Sequence, residues 1–185
     1  MSDPATDPDE AKLVRELFTA GLRYLARISA SRASVRRVLL RKLMKLRPPE
    51  PDALPGEIDE RPVDAAIERL AELGYVDDAA FARGRQRSLV GRGVSRLGIR
   101  HRMARQGVDR ETVERAFEAV AEEIEDPEAT AAAAFVRKRR LGWRRPEEAR
   151  AEHHRADLAR LMRQGFPADV ARQALDGPPE PDEDG

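Results

Sequence analysis

A four-residue pattern of base, apolar, variable and base recurs three times at nearly constant spacing, and it restricts this chain more than any other feature. Lys42-Leu43-Met44-Lys45, Arg102-Met103-Ala104-Arg105 and Arg160-Leu161-Met162-Arg163 lie 60 and then 58 residues apart. The later two copies run on into Gln106-Gly107-Val108 and Gln164-Gly165-Phe166. A second echo pairs Phe81-Ala82-Arg83-Gly84-Arg85 with Phe135-Val136-Arg137-Lys138-Arg139, 54 residues on. Such a period in a chain of 185 residues points to one small unit used serially. Each copy is too short to bury much apolar area alone, so neighbours must pack in series, which predicts an elongated, curved array.

Within each period the apolar spacing is helical. Leu13, Leu17 and Leu25 define a first helix, and Val35, Leu39, Leu43 and Leu46 a second. At 3.6 residues per turn the second set spans an arc of about 80°, with Arg37, Arg41 and Lys45 opposite. A third helix runs from Val63 through Ile67 and Leu70 to Gly74, whose freedom at positive φ suits a helix end. Asp77 or Asp78 caps a helix carrying Phe81 and Leu89 and ending at Gly91-Arg92-Gly93; Ser95 starts another that stops at Gly107. Asp109 caps the helix of Val113, Phe117 and Val120, and Asp126-Pro127 opens the next with proline in its first turn. Pro146 starts a long helix ending at Gly165, and Pro167 a short one through Val170 and Leu175. No strand pattern is present, and with aromatics at 4% an all-α chain of three tandem three-helix repeats is expected. Their bounds are 11–76, 77–125 and 126–176. The first holds a Pro-rich acidic insertion at 48–62, and acidic tails at 1–10 and 177–185 are expected to be disordered.

The formal net charge is zero, from 34 basic and 34 acidic residues, yet the signs are segregated. Ala11–Arg47 has eleven bases to one acid, Arg83–Arg110 nine to one, and Val136–Arg145 six to none, with acid-rich stretches between them. Local fields therefore matter more than the total. The plain reading is solubility and internal charge pairing; the functional one is polyanion or acidic-protein binding. There is no cysteine, which removes disulfides, thiolate metal sites and thiol nucleophiles and suits a reducing cytoplasm. The acidic start does not match a secretory signal, and no stretch approaches the ~20 apolar residues of a spanning helix. No membrane role is expected.

No catalytic constellation emerges. Gly91-Arg92-Gly93 lacks the following Gly-Lys-Ser/Thr of a phosphate loop and reads as a turn. His153-His154, beside Glu147, Glu148 and Glu152, project about 100° apart on a helix rather than sharing a face as at i, i+4. They read as a solvated face, and His101, among arginines, as a surface residue. Asp77-Asp78 are better explained as helix caps than as an acid pair. With no nucleophile beside a base, neither catalysis nor a cofactor or metal is expected.

Leu73-Gly74-Tyr75-Val76-Asp77-Asp78, followed by Phe81-Ala82 and a basic run to Gly93, resembles the most recognisable segment of the RecX family, bacterial regulators of the RecA recombinase. Gln106-Gly107-Val108 and Arg163-Gln164-Gly165-Phe166 look like that family's repeat endings, and the likeness covers roughly Leu17 to Leu175. The first unit departs from the pattern: it has Arg47-Pro48 where the others close on Gly, and the 48–62 insertion follows. The resemblance implies three tandem three-helix units and a non-catalytic regulator that docks along the groove of the RecA–DNA filament; a monomer is expected.

The basic blocks supply the candidate contacts. Thirty of the 34 bases are Arg, which makes bidentate bonds to phosphate or carboxylate. The repeat itself contributes Lys42, Lys45, Arg102, Arg105, Arg160 and Arg163. Arg83, Arg85, Arg87 and Arg92 form one dense patch, and Arg137, Lys138, Arg139, Arg140, Arg144 and Arg145 another. These fit a recombinase filament, or single- or double-stranded DNA directly. Trp143 is the one aromatic in a basic cluster and reads equally as a small-core residue.

Overall fold

The computed structural model describes residues 8–48 and 58–177, and all regular structure in them is helical. The chain is all-α. In order come α1 (Pro8–Leu25), α2 (Arg32–Leu46), α3 (Arg61–Glu72), α4 (Asp78–Gly91), α5 (Arg96–Arg105), α6 (Arg110–Glu123), α7 (Pro127–Arg139), a 3₁₀ turn at Gly142–Arg144, α8 (Glu147–Arg163) and α9 (Ala168–Asp176). The acidic tail residues 1–7 and 178–185, and 49–57 of the insertion, lie outside the described residues. Two helices begin inside stretches read from sequence as tail or insertion. α1 starts at Pro8 with Asp9 and Glu10 in its first turn, and α3 at Arg61 with Pro62 buried in its first turn. Proline is preorganised there and acids suit the positive end of the helix dipole.

Two compact units result. The first runs to Phe81 and includes Gln106–Val108; the second comprises Ala82–Arg105 and the chain from Asp109 onward. In the first, α1, α2 and α3 pack pairwise around Leu13, Leu17, Val35, Leu39, Ile67 and Leu70. α1 and α3 meet so closely that a Cβ on Gly21 would stand 2.6 Å from Leu70 Cδ1. In the second, α5 packs on α6, while α7 and α8 pack on α9 and on the 3₁₀ turn. The repeated apolar positions Leu43, Met103 and Leu161 are all buried, as their phase requires.

The repeats also share a clasp. Ser31 caps α2: its Oγ accepts from Ser34 N at 3.2 Å and donates to the Gln106 carbonyl at 2.5 Å, within the first unit. In the second unit Ser95 Oγ accepts from Gly98 N at 3.1 Å and donates to the Gln164 carbonyl at 2.5 Å. Both serines are buried. The Gly after each glutamine is needed on two counts: Gly107 has φ +75° and its Cβ would stand 2.4 Å from Ala33 Cβ, and Gly165 has φ +90° against Leu97 and Ser95. The first helix amides are capped in parallel too, Arg32 N donating to Asp78 Oδ1 and Arg96 N to Glu128 Oε2, both at 2.7 Å.

Candidate basic docking surface

Exposure follows from helix phase. In α2 the apolar stripe faces α1 and α3, so Arg37, Arg41 and Lys45 face solvent and Lys42 is half-buried at the border. Arg102, Arg105, Arg160 and Arg163 are exposed in the last turns of α5 and α8, and Arg137, Lys138 and Arg139 in the last turn of α7. Cations there also meet the negative end of the helix dipole, each such contact being worth about 0.3–1 kcal/mol. Arg140 ends α7 in the left-handed region at φ +53° and is exposed.

The candidates fall into two groups once their partners are known. Arg145 is structural: its Nε and Nη2 donate to Asp157 Oδ2 and Oδ1 at 2.7 Å each, and Gly142 N adds a third bond at 3.0 Å. Asp157 is 2% exposed. The Arg145 guanidinium holds its carboxyl below the usual carboxylate range against the opposing effect of burial. Arg87 Nε donates to Glu123 Oε2 at 2.7 Å on an exposed surface. Arg144 lies over Trp143, 4.9 Å from the ring centroid. Arg85 is half-buried with its Nε enclosed and unbonded, and Arg83 is exposed.

Neighbouring arginines are equally committed. Arg96 and Arg100 both bind Glu114 and both lie over Phe117, at 4.4 and 5.4 Å from its centroid. The Arg100 bond is the main reason that the Glu114 carboxyl sits at about 2. Among the described residues, Arg92, Arg102, Arg105, Arg137, Lys138, Arg139, Arg160 and Arg163 have no such carboxylate partner.

Four of these unpaired cations converge. Arg92 from the α4–α5 turn, Arg102 from α5, and Lys138 and Arg139 from α7 surround a concavity of about 230 Å³ in the second unit. Gly93, Val94, Ser95, Gly98, Phe135 and Gln164 complete its wall. No acidic side chain lines it. A second concavity, in the first unit, joins Lys42 to Lys12, Arg15 and Arg23 of α1, with Glu16 and Thr19. Sequence reasoning missed those three α1 bases, although their spacing of 3 and 8 residues already places them on one helix face. Trp143 lines a third cavity, of about 410 Å³, with Arg137, Val170 and Ala174. The described residues hold no cluster of three or more metal-ligating side chains, and no described helix is long and apolar enough to cross a membrane.

No protein-family model matches the chain. It is 32% identical to the regulatory protein RecX of Myxococcus xanthus over 166 residues, which is 88% of this chain and 86% of that one. To the regulatory protein RecX of Halorhodospira halophila it is 34% identical over 168 residues, 90% of each chain. The RecX of Thermobifida fusca is 32% identical over 81% of this chain and 71% of its own. A crystal structure of a regulatory protein RecX shares the fold, with a TM-score of 0.60 and 18% identity over 91% of this chain and 74% of that one. On sequence identity over nearly its whole length, carried by an all-helical fold of the same kind, the chain belongs to the RecX family of regulatory proteins.

Proposed function

We propose that this protein is a non-catalytic regulator that docks in the groove of RecA–DNA filaments and inhibits ATP hydrolysis, strand exchange and filament growth during recombination, DNA repair and the SOS response. The observation that carries the reading is the set of unpaired basic side chains on exposed helix ends, in a member of a family of regulatory proteins. Bases that have no internal carboxylate are available to an acidic groove or a nucleic-acid strand. Taken as three successive three-helix units, 11–76, 77–125 and 126–176, the chain offers equivalent basic faces that adjacent protomers can meet in turn. A regulator bound there impedes the protomer movements that turnover requires and needs neither active site nor cofactor. It acts in the cytoplasm as a monomer.

The test is ATP turnover by recombinase filaments preassembled on single-stranded DNA, with substoichiometric protein at physiological salt. Wild type is expected to suppress turnover, and a variant with Arg137, Lys138, Arg139 and Arg140 changed to Glu to fail. The second reading is a sequence-nonspecific DNA-binding protein without filament specificity. It is favoured by the acid-free basic concavity of the second unit. Unchanged turnover with tight binding to naked DNA would establish it in place of the first.

A further inference from the structure

We infer that the concavity bounded by Arg92, Arg102, Lys138 and Arg139 is a seat for a backbone phosphate of a single nucleic-acid strand. The inference deepens the proposed function, on which it rests only for the strand's being the one held within the filament. Three features distinguish this place from a generally basic surface.

The first is the division of labour among the cations. Arg87, Arg96, Arg100 and Arg145 of the same unit are each paired with a carboxylate, Arg96 and Arg100 sharing that of Glu114, whereas the four at the concavity are not, and no acid lines it. Four uncompensated charges around one hollow focus its field and attract anions. Arg139 is additionally steadied over Phe135, 6.0 Å from the ring centroid.

The second is that the floor is built. Gly93 stands at φ +78° so close to α7 that a Cβ would lie 2.7 Å from Phe135 N. Ser95 is buried, and its hydroxyl is used twice, by Gln164 O and Gly98 N. The α4–α5 turn therefore holds the wall at a set distance from the α7 bases.

The third is size and stoichiometry. At about 230 Å³ the hollow is smaller than the about 300–1,000 Å³ of sites that enclose whole small molecules. It takes a group and its hydration while the rest of the ligand stays outside. A lone carboxylate has one charge to offer the three Arg forks and the Lys. A strand brings a phosphodiester, likewise singly charged with two non-bridging oxygens, but flanked by further charges one nucleotide away on either side that the remaining cations can meet.

The experiment is a fluorescence-anisotropy titration of a labelled twenty-nucleotide oligothymidylate with the full chain, from 50 to 300 mM KCl. Wild type is compared with Arg102→Gln/Lys138→Gln, both exposed positions, and with Arg110→Gln, an exposed control off the concavity that removes one charge. The expected result is at least tenfold weaker binding by the double variant only. Its slope of log K against log salt should be shallower by about 0.7 for each phosphate that the variant no longer neutralises. An oligonucleotide with neutral methylphosphonate linkages should bind wild type no better than the double variant binds the natural one. No measurable binding by wild type, an unchanged slope in the double variant, or equal or tighter binding of a labelled polyglutamate of the same length would each overturn the proposal. Filament ATP turnover, measured in parallel, reports separately on the proposed function: suppression that survives in a variant unable to hold DNA leaves the regulator reading intact.

Discussion

Replacing Asp157 by Asn tests the most committed polar contact in the chain. The carboxylate accepts two bonds from Arg145 and one from Gly142 N, and its side chain is 3% exposed against 26% for the arginine. Asn is nearly isosteric, so no cavity opens, but one oxygen becomes a donor facing the guanidinium and the buried charge is left uncompensated. Breaking a buried pair from one side costs about 3–5 kcal/mol. Because Arg145 retains some contact with solvent, the low end, about 3 kcal/mol, applies. For a chain of this size that lowers Tm by about 6–12 °C.

The sign with pH follows from the direction of the shift. The folded carboxyl titrates below its unfolded value of about 3.9, so its contribution is complete above that value and is lost as pH falls through the folded one. Thermal melts by circular dichroism at pH 7 should therefore separate wild type from variant widely, and the gap should narrow below about pH 4. Glu123→Gln is the comparator. Its exposed pair with Arg87, at 42% and 55% side-chain exposure, should cost no more than about 1 kcal/mol. A loss from Asp157→Asn no greater than that from Glu123→Gln, or a gap unchanged down to pH 2.5, would refute the reasoning.

The clasp makes a second prediction: Ser95→Ala removes the bonds to Gly98 N and Gln164 O, and urea unfolding should show a loss of about 1–3 kcal/mol. A loss below about 0.5 kcal/mol, the range of substitutions that touch nothing, would refute the clasp's contribution. A third concerns Glu114. Arg100→Gln removes the largest cause of its depression to about 2, so carboxyl NMR titration should show its midpoint moving up toward the ordinary glutamate range. An unmoved midpoint would assign the effect elsewhere.

The twin clasps account for the glycines that follow Gln106 and Gln164. Gln106-Gly107 and Gln164-Gly165 are turns that receive a serine hydroxyl, from Ser31 and Ser95, and their glycines let the chain approach Ala33 and Leu97. Among the described residues, the end of α2 at Arg47-Pro48 receives no such serine hydroxyl, and no glycine stands there. α8 correspondingly opens on Pro146 with no side-chain cap. The repeat is thus written most strictly where one helix end must touch another.

Helix order, core positions and most caps were legible in the sequence because their causes are local. A 3.6-residue period, an Asp before a helix and a Gly after one act within four residues, and Leu43, Met103, Leu161, Asp109 and Asp126 stand as those rules require. That Lys45, Arg102, Arg105, Arg160 and Arg163 face solvent and Lys42 sits at the border follows from the same periodicity. Which bases remain unpaired was decided by tertiary structure alone. Arg145 and Asp157 are 12 residues apart and Arg87 and Glu123 are 36 apart, and no periodicity relates them. Asp78, legible only as a local cap, instead reaches Arg32 N, 46 residues back. The convergence of Arg92, Arg102, Lys138 and Arg139 likewise needs α4, α5 and α7 to meet around Gly93 and Ser95. Local rules set which residues point outward; only the packing of helices distant in sequence set how far apart their charges stand, and separation governs whether a charge is spent internally or left for a partner.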